Sequence, residues 1–128
     1  METNIILADD DRFYQMLIAE NIRNDCRKIQ LVKSGSEVLK ILENQEVDLL
    51  VIDYHLEDLT ADMVIERMRL RGYKVPVIVM TGDESLETER TVRSCGADYY
   101  FVKPIELHDF EIVVNSLTRK NDKYFAYR

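Results

Sequence analysis

Five short apolar runs punctuate the chain: Ile5 to Ala8, Ile29 to Val32, Val47 to Ile52, Val75 to Met80 and Tyr99 to Val102. Each has the length of a strand, and each is nearly continuously apolar rather than alternating. That pattern belongs to strands buried on both faces of a parallel sheet. Between the runs the apolar spacing becomes helical. Arg12–Ile22 carries Tyr14, Leu17, Ile18 and Ile22, Ser36–Leu42 carries Val38, Leu39, Ile41 and Leu42, and Met63–Leu70 carries Val64, Ile65 and Met68. Leu86–Cys95 and Leu107–Leu117 supply a fourth and a fifth amphipathic segment. Strict alternation of strand and helix predicts an α/β sandwich, with right-handed crossovers that place helices on both faces of the sheet.

Local signals mark the joins. Ser34-Gly35-Ser36-Glu37 has capping-box spacing and sets a loop-to-helix transition near Ser34. Gly72 and Gly96 follow the third and fourth helical segments, where a positive φ ends a helix. No repeat or low-complexity tract interrupts the pattern. Residues 1–119 therefore read as one domain, and residues 120–128 as a polar tail or linker stub.

Composition narrows the function classes. A chain of 128 residues with 46% hydrophobic residues fits a single core. With 17 basic against 24 acidic side chains the net charge is −7, and no basic cluster suits a phosphate backbone, which argues against direct nucleic-acid binding. Apolar runs such as Leu49-Leu50-Val51-Ile52 fall far below the roughly 18–20 residues a membrane span needs. Met1-Glu2-Thr3-Asn4 has neither a basic region nor an apolar stretch of the signal-peptide kind, and Cys26 and Cys95 lack ligand spacing. A cytoplasmic protein with two reduced thiols and no membrane partner is the expectation.

Ligands of parallel α/β sheets sit beyond the carboxyl ends of the strands. Here strand one runs into Asp9-Asp10-Asp11, strand three into Asp53, strand four into Thr81-Gly82 and strand five into Lys103-Pro104. Carboxylates converging on one edge repel one another unless a cation neutralises them, and hard oxygen donors suit Mg²⁺. Asp53 would then be both a ligand and a nucleophile able to form an aspartyl phosphate. Lys103 and Mg²⁺ would neutralise the charge of transfer, Thr81 would donate to a phosphoryl oxygen, and Gly82 would leave the approach open. Plainer roles stand beside these. Asp11 fits an N-cap, Thr81 and Glu84 have capping-box spacing, Lys103 fits a solvated surface lysine, and Pro104 fits a helix start.

As a set, Asp9-Asp10, Asp53, Thr81-Gly82 and Lys103-Pro104 are similar to the receiver domain of two-component response regulators, from Ile5 to about Leu117. The resemblance implies a flavodoxin-like (βα)5 sandwich with a five-stranded parallel sheet of order 2-1-3-4-5. It makes Asp53 the phosphoacceptor for a phosphohistidine on a sensor histidine kinase or histidine phosphotransfer protein. The domain would assist its own phosphorylation and dephosphorylation. Asp10 and Asp53 become direct Mg²⁺ ligands, Asp9 acts through a water, and His55 lends its backbone carbonyl. Tyr100 becomes the aromatic switch that moves with Thr81, the Lys103-Pro104 bond is cis, and the fourth helix, fifth strand and fifth helix form the face for a downstream protein, an output domain or a homodimer.

Two departures fall in the loop after the acceptor, where Leu56 is followed by Glu57 rather than proline and Ala61 takes a position often held by glycine. His55 and Asp83, two residues after Asp53 and Thr81, occupy positions that govern phosphoryl access in the family, and both are polar groups able to tune hydrolysis. Other readings of the topology are a flavin-binding carrier, whose phosphate Asp9-Asp10-Asp11 would repel, and a pseudo-receiver, which normally lacks the acceptor or the acidic pair. An aspartyl phosphatase would carry a second carboxylate where His55 stands. Eleven residues follow Leu117, too few for an output domain, so the output is expected in another molecule or in further sequence.

Overall fold

The apolar runs form strands β1 (Thr3–Ala8), β2 (Arg27–Val32), β3 (Leu49–Asp53), β4 (Val77–Thr81) and β5 (Tyr99–Val102) in a computed structural model that describes residues 2–118. The tail expected at 120–128 lies outside the described residues. All pairings are parallel, in the order β2-β1-β3-β4-β5 that the resemblance implied. The intervening helices are α1 (Arg12–Ile22), α2 (Gly35–Asn44), α3 (Ala61–Leu70), α4 (Leu86–Ser94) and α5 (Leu107–Thr118). Among the described residues no helix is long and apolar enough to cross a membrane.

Strand pleating splits the core into two layers. Ile6, Ala8, Leu50, Ile52, Val77 and Val79 face α2 and α3, while Ile5, Leu7, Leu49, Val51, Ile78 and Met80 face α1 and α5. All twelve are fully buried, which explains why β1, β3 and β4 show no polar alternation. Apart from Ala8, each such side chain contributes roughly 1.5–3 kcal/mol by leaving water.

Four strand starts differ from the apolar runs, the first being β1, which begins at Thr3 rather than Ile5. β2 begins at Arg27 rather than Ile29, because Thr3 and Asn4 pair with Arg27 and Lys28. β3 and β4 begin at Leu49 and Val77, two residues later than the apolar run in each case. Pro76 has no N–H to offer a ladder and only accepts, from Leu50 N–H at 3.0 Å.

The helix boundaries follow local chemistry. Ser34 caps α2 by accepting the Glu37 N–H, although its hydroxyl also donates to Glu37 Oε1 at 2.9 Å instead of Glu37 reaching back to the backbone. Gly72 and Gly96 adopt the expected positive φ, at 85° and 98°.

Candidate functional site

Parallel register delivers the strand ends to one edge. Ala8 pairs with Ile52, so Asp9 and Asp53 emerge side by side, and Thr81 pairs with Val102, so Lys103 emerges beside them. The Asp9 N–H is held by Val32 O at 3.1 Å, and Lys103 N–H by Thr81 O at 2.7 Å. The carboxylates of Asp9, Asp10 and Asp53 each offer an oxygen within 4.8 Å of the others. Asp9 is fully buried and Asp53 nearly so, while Asp10 is exposed. Asp11 stays out of the cluster and is the N-cap of α1, accepting from the Phe13 and Tyr14 N–H groups at 3.0 and 3.3 Å.

Lys103 is no solvated surface lysine. Its Nζ lies 2.9 Å from Asp9 Oδ2 and 3.1 Å from Asp53 Oδ1, and stands 4.3 Å from the centre of the Tyr14 ring. The Tyr14 hydroxyl also accepts the Ile105 N–H at 3.0 Å, and the Lys103-Pro104 peptide is cis. Tyr14 is thus a site residue that the sequence pattern assigned only to a helix face.

The electrostatics follow from burial. Desolvation, reinforced by the neighbouring Asp9 and Asp10 charges, raises the Asp53 carboxyl above its ordinary 3.8, with Lys103 pulling it partly back. For Lys103 burial favours the neutral amine, but the Asp9 and Asp53 carboxylates outweigh it and raise the ammonium above 10.5. Three carboxylates against one ammonium leave the pocket short of positive charge. Clustered hard oxygens of this kind fit a small divalent cation such as Mg²⁺.

The β4 and β5 side is built differently. Thr81 Oγ1 accepts the Asp83 N–H at 3.0 Å, and the Tyr100 hydroxyl donates to Asp83 O at 3.0 Å. The Asp83 carboxylate turns to α4, where Oδ1 accepts Ser85 N–H at 2.8 Å and Oδ2 accepts the Thr88 hydroxyl at 2.7 Å. The Thr88 bond above all, with that of Ser85, holds Asp83 below the usual carboxylate range. The Thr81–Glu84 capping pattern is not used, because Thr81 remains in the β5 ladder and Ser85 is the N-cap of α4. Gly82 has open space where a Cβ would stand.

His55 is exposed and meets Tyr54 edge-on at 4.8 Å. Its backbone pairs with Thr60 in an isolated antiparallel bridge, and Ala61 N–H reaches Tyr54 O at 2.8 Å. The loop therefore closes into a tight turn without the proline or the glycine of the family pattern, with Ala61 fully buried beneath it.

Comparisons with known proteins agree with this geometry. The family model described as response regulator receiver domain matches residues 5–115. The chain is 28% identical over 120 residues to the transcriptional regulatory protein CiaR of Streptococcus pneumoniae, covering 94% of this chain and 53% of that protein. It is 27% identical to the receiver domain of the TMAO respiratory system response regulator TorR, with a TM-score of 0.83 over 94% of this chain and 99% of that one. A Francisella response regulator receiver domain shares the fold, at 23% identity, with a TM-score of 0.85 over 94% of this chain and 100% of that one. The chain spans about half the length of curated relatives such as CiaR. With the fold, the strand-end residues and the family model in agreement over the same span, the chain belongs to the receiver domain family of two-component response regulators.

Proposed function

We propose that the chain is a phosphorylation-dependent switch in which Asp53 accepts a phosphoryl group from a phosphohistidine, carried by a sensor histidine kinase or a histidine phosphotransfer protein. The observation that carries this reading is the convergence of Asp9, Asp10 and Asp53 at the end of the sheet, with Lys103 Nζ paired to Asp9 and Asp53. An Asp53 carboxylate oxygen attacks phosphorus, the O–P bond forms as the P–N bond breaks, and the imidazole leaves. Asp10, Asp53 and the His55 carbonyl would hold Mg²⁺ directly, with Asp9 acting through a water. When bound, the cation supplies charge neutralisation for the phosphoryl oxygens and the crowded carboxylates.

Lys103 favours the reactive anionic form of Asp53 against the burial that opposes it, and is close enough to follow negative charge onto the phosphoryl group. Thr81 Oγ1 uses a lone pair on Asp83 N–H, so its own proton remains to donate to a phosphoryl oxygen. A shift of Thr81 toward Asp53 pulls on the Asp83 backbone, which carries Tyr100 through its carbonyl and α4 through its carboxylate. The readout face is then α4, β5 and α5, offered to a downstream protein, an output domain or a second copy. His55 and the Asp83 loop flank the mouth and tune hydrolysis of the acyl phosphate.

Acetyl phosphate with Mg²⁺ tests the assignment by mass spectrometry. The wild type gains one phosphoryl group and Asp53→Asn gains none; equal labelling of the variant sinks the acceptor assignment. Phosphoryl lifetime in His55→Ala tests the mouth, where an unchanged lifetime removes His55 from the mechanism.

A further inference from the structure

The turn after β3 is anchored at its tip. Asp58 Oδ1 accepts the Gly35 N–H at 2.8 Å and Asp58 Oδ2 accepts the Ser36 N–H at 3.0 Å. These are the first two N–H groups of α2, and Ser34 Oγ takes the third from Glu37. A carboxylate there satisfies donors that have no partner within the helix, at the end where the helix dipole favours negative charge. A second observation points the same way. A Cβ on Gly35 would lie 2.7 Å from Val64 Cγ2 and 2.9 Å from Leu59 Cδ1, so the start of α2 is pressed directly onto this turn and onto α3.

The contact closes a circuit around the acidic cluster. Residues 55 to 60 are cinched by the His55–Thr60 bridge and by Leu56 N–H to Leu59 O at 3.2 Å. Asp58 ties their tip to α2, and just before α2 the end of β2 holds Asp9 through Val32 O. The same carbonyl accepts Gln15 Nε2 at 2.8 Å, which adds α1 to the brace. One chain of bonds thus runs from the loop of His55 to the backbone of Asp9.

We propose that Asp58 is a positioning residue for the cation site, bracing the β3–α3 turn against α2 so that the His55 carbonyl and Asp53 stay in register with Asp9 and Asp10. This rests on the cation reading given under the proposed function. Asp58 faces α2 and touches no group of the cluster, so its effect must travel through the turn. It also gives the loop an anchor in place of the missing proline.

Calorimetric titration of the unphosphorylated chain with Mg²⁺ tests the idea, alongside thermal unfolding of each variant. Asp58→Ala should weaken Mg²⁺ binding roughly tenfold, the scale seen when an outer partner of a metal site is removed. Asp58→Asn, which keeps an oxygen for one of the two N–H groups, should recover part of the loss. Wild-type affinity in Asp58→Ala together with a lowered Tm would make Asp58 a helix anchor only and overturn the proposal. If Asp58→Ala does not fold, Asp58→Asn decides, since unchanged affinity there is equally fatal. Asp10→Asn separates the two readings: unchanged affinity in that variant, or no binding by the wild type, overturns the cation reading itself.

Discussion

The half of the site carried by β1 and β3 holds three carboxylates, two of them paired with the Lys103 ammonium that reaches across from the end of β5, whereas the half carried by β4 and β5 is otherwise threaded by hydrogen bonds that meet at the backbone of Asp83. In the first half burial and repulsion set the energies, and substitutions there should change charge balance and chemistry. In the second half each bond contributes roughly 1 kcal/mol, and substitutions should change how motion is passed on. The difference separates accepting a phosphoryl group from reporting it.

The largest effect should come from Asp53→Asn, which on the proposed function abolishes phosphorylation yet raises the Tm of the metal-free protein by a few degrees. The sign follows from the raised folded-state value of Asp53. A carboxyl raised on folding contributes stability that is present below its ordinary 3.8 and is lost as pH rises through the folded value. The wild type should therefore lose stability across that window relative to Asp53→Asn, and saturating Mg²⁺ should reverse the ranking. Parallel pH profiles for the two proteins would mean that repulsion does not govern this half. Next comes Lys103→Met, which leaves buried Asp9 without its ammonium and should cost roughly 2 kcal/mol in denaturant unfolding, less with Mg²⁺ present.

Asp9, Asp10, Asp53, Thr81 and Lys103 were legible in the sequence because a parallel sheet has one carboxyl edge, and the residue ending each apolar run must arrive there. Tyr14 was not, since an aromatic side chain in the first turn of α1 reads as a packing residue until the turn after β5 brings Lys103 over its ring. Asp83 was legible by its offset from Thr81, but the direction of its carboxylate was not. That direction depends on the cap of α4: the apolar pattern gave the start at Leu86, but the Thr81–Glu84 spacing offered Thr81 for the cap that Ser85 provides. The brace at Asp58 joins residues 22 and 23 positions apart, beyond any local pattern. The early ends of the runs at Val47 and Val75 misled for a related reason, because hydrophobicity continues where ladder pairing has not yet begun.

A smaller effect is expected from Thr88→Val, which removes the hydroxyl between Asp83 and Ser85 and should cost about 1 kcal/mol. Faster amide exchange in the first turn of α4, with an unchanged rate of phosphorylation by acetyl phosphate, would mark this as a reporting element. A slowed phosphorylation rate would join the two halves and weaken the contrast.

The smallest single effect belongs to Tyr100→Phe, about 0.5 kcal/mol, because only one bond to a half-exposed hydroxyl is lost. Its value lies in the double-mutant cycle with Thr81→Val. Thr81 and Tyr100 grip the N–H and the C=O of the same residue, so loosening either should devalue the other, and the coupling should exceed roughly 0.5 kcal/mol. Tyr100→Phe combined with Asp10→Asn shares no partner and should be additive within about 0.3 kcal/mol. Additivity in the first cycle would remove Asp83 as the link between Thr81 and Tyr100. Equal coupling in both cycles would show instead that charge and linkage are a single network, and that a change in the carboxylate cluster reaches Tyr100 without passing through Thr81.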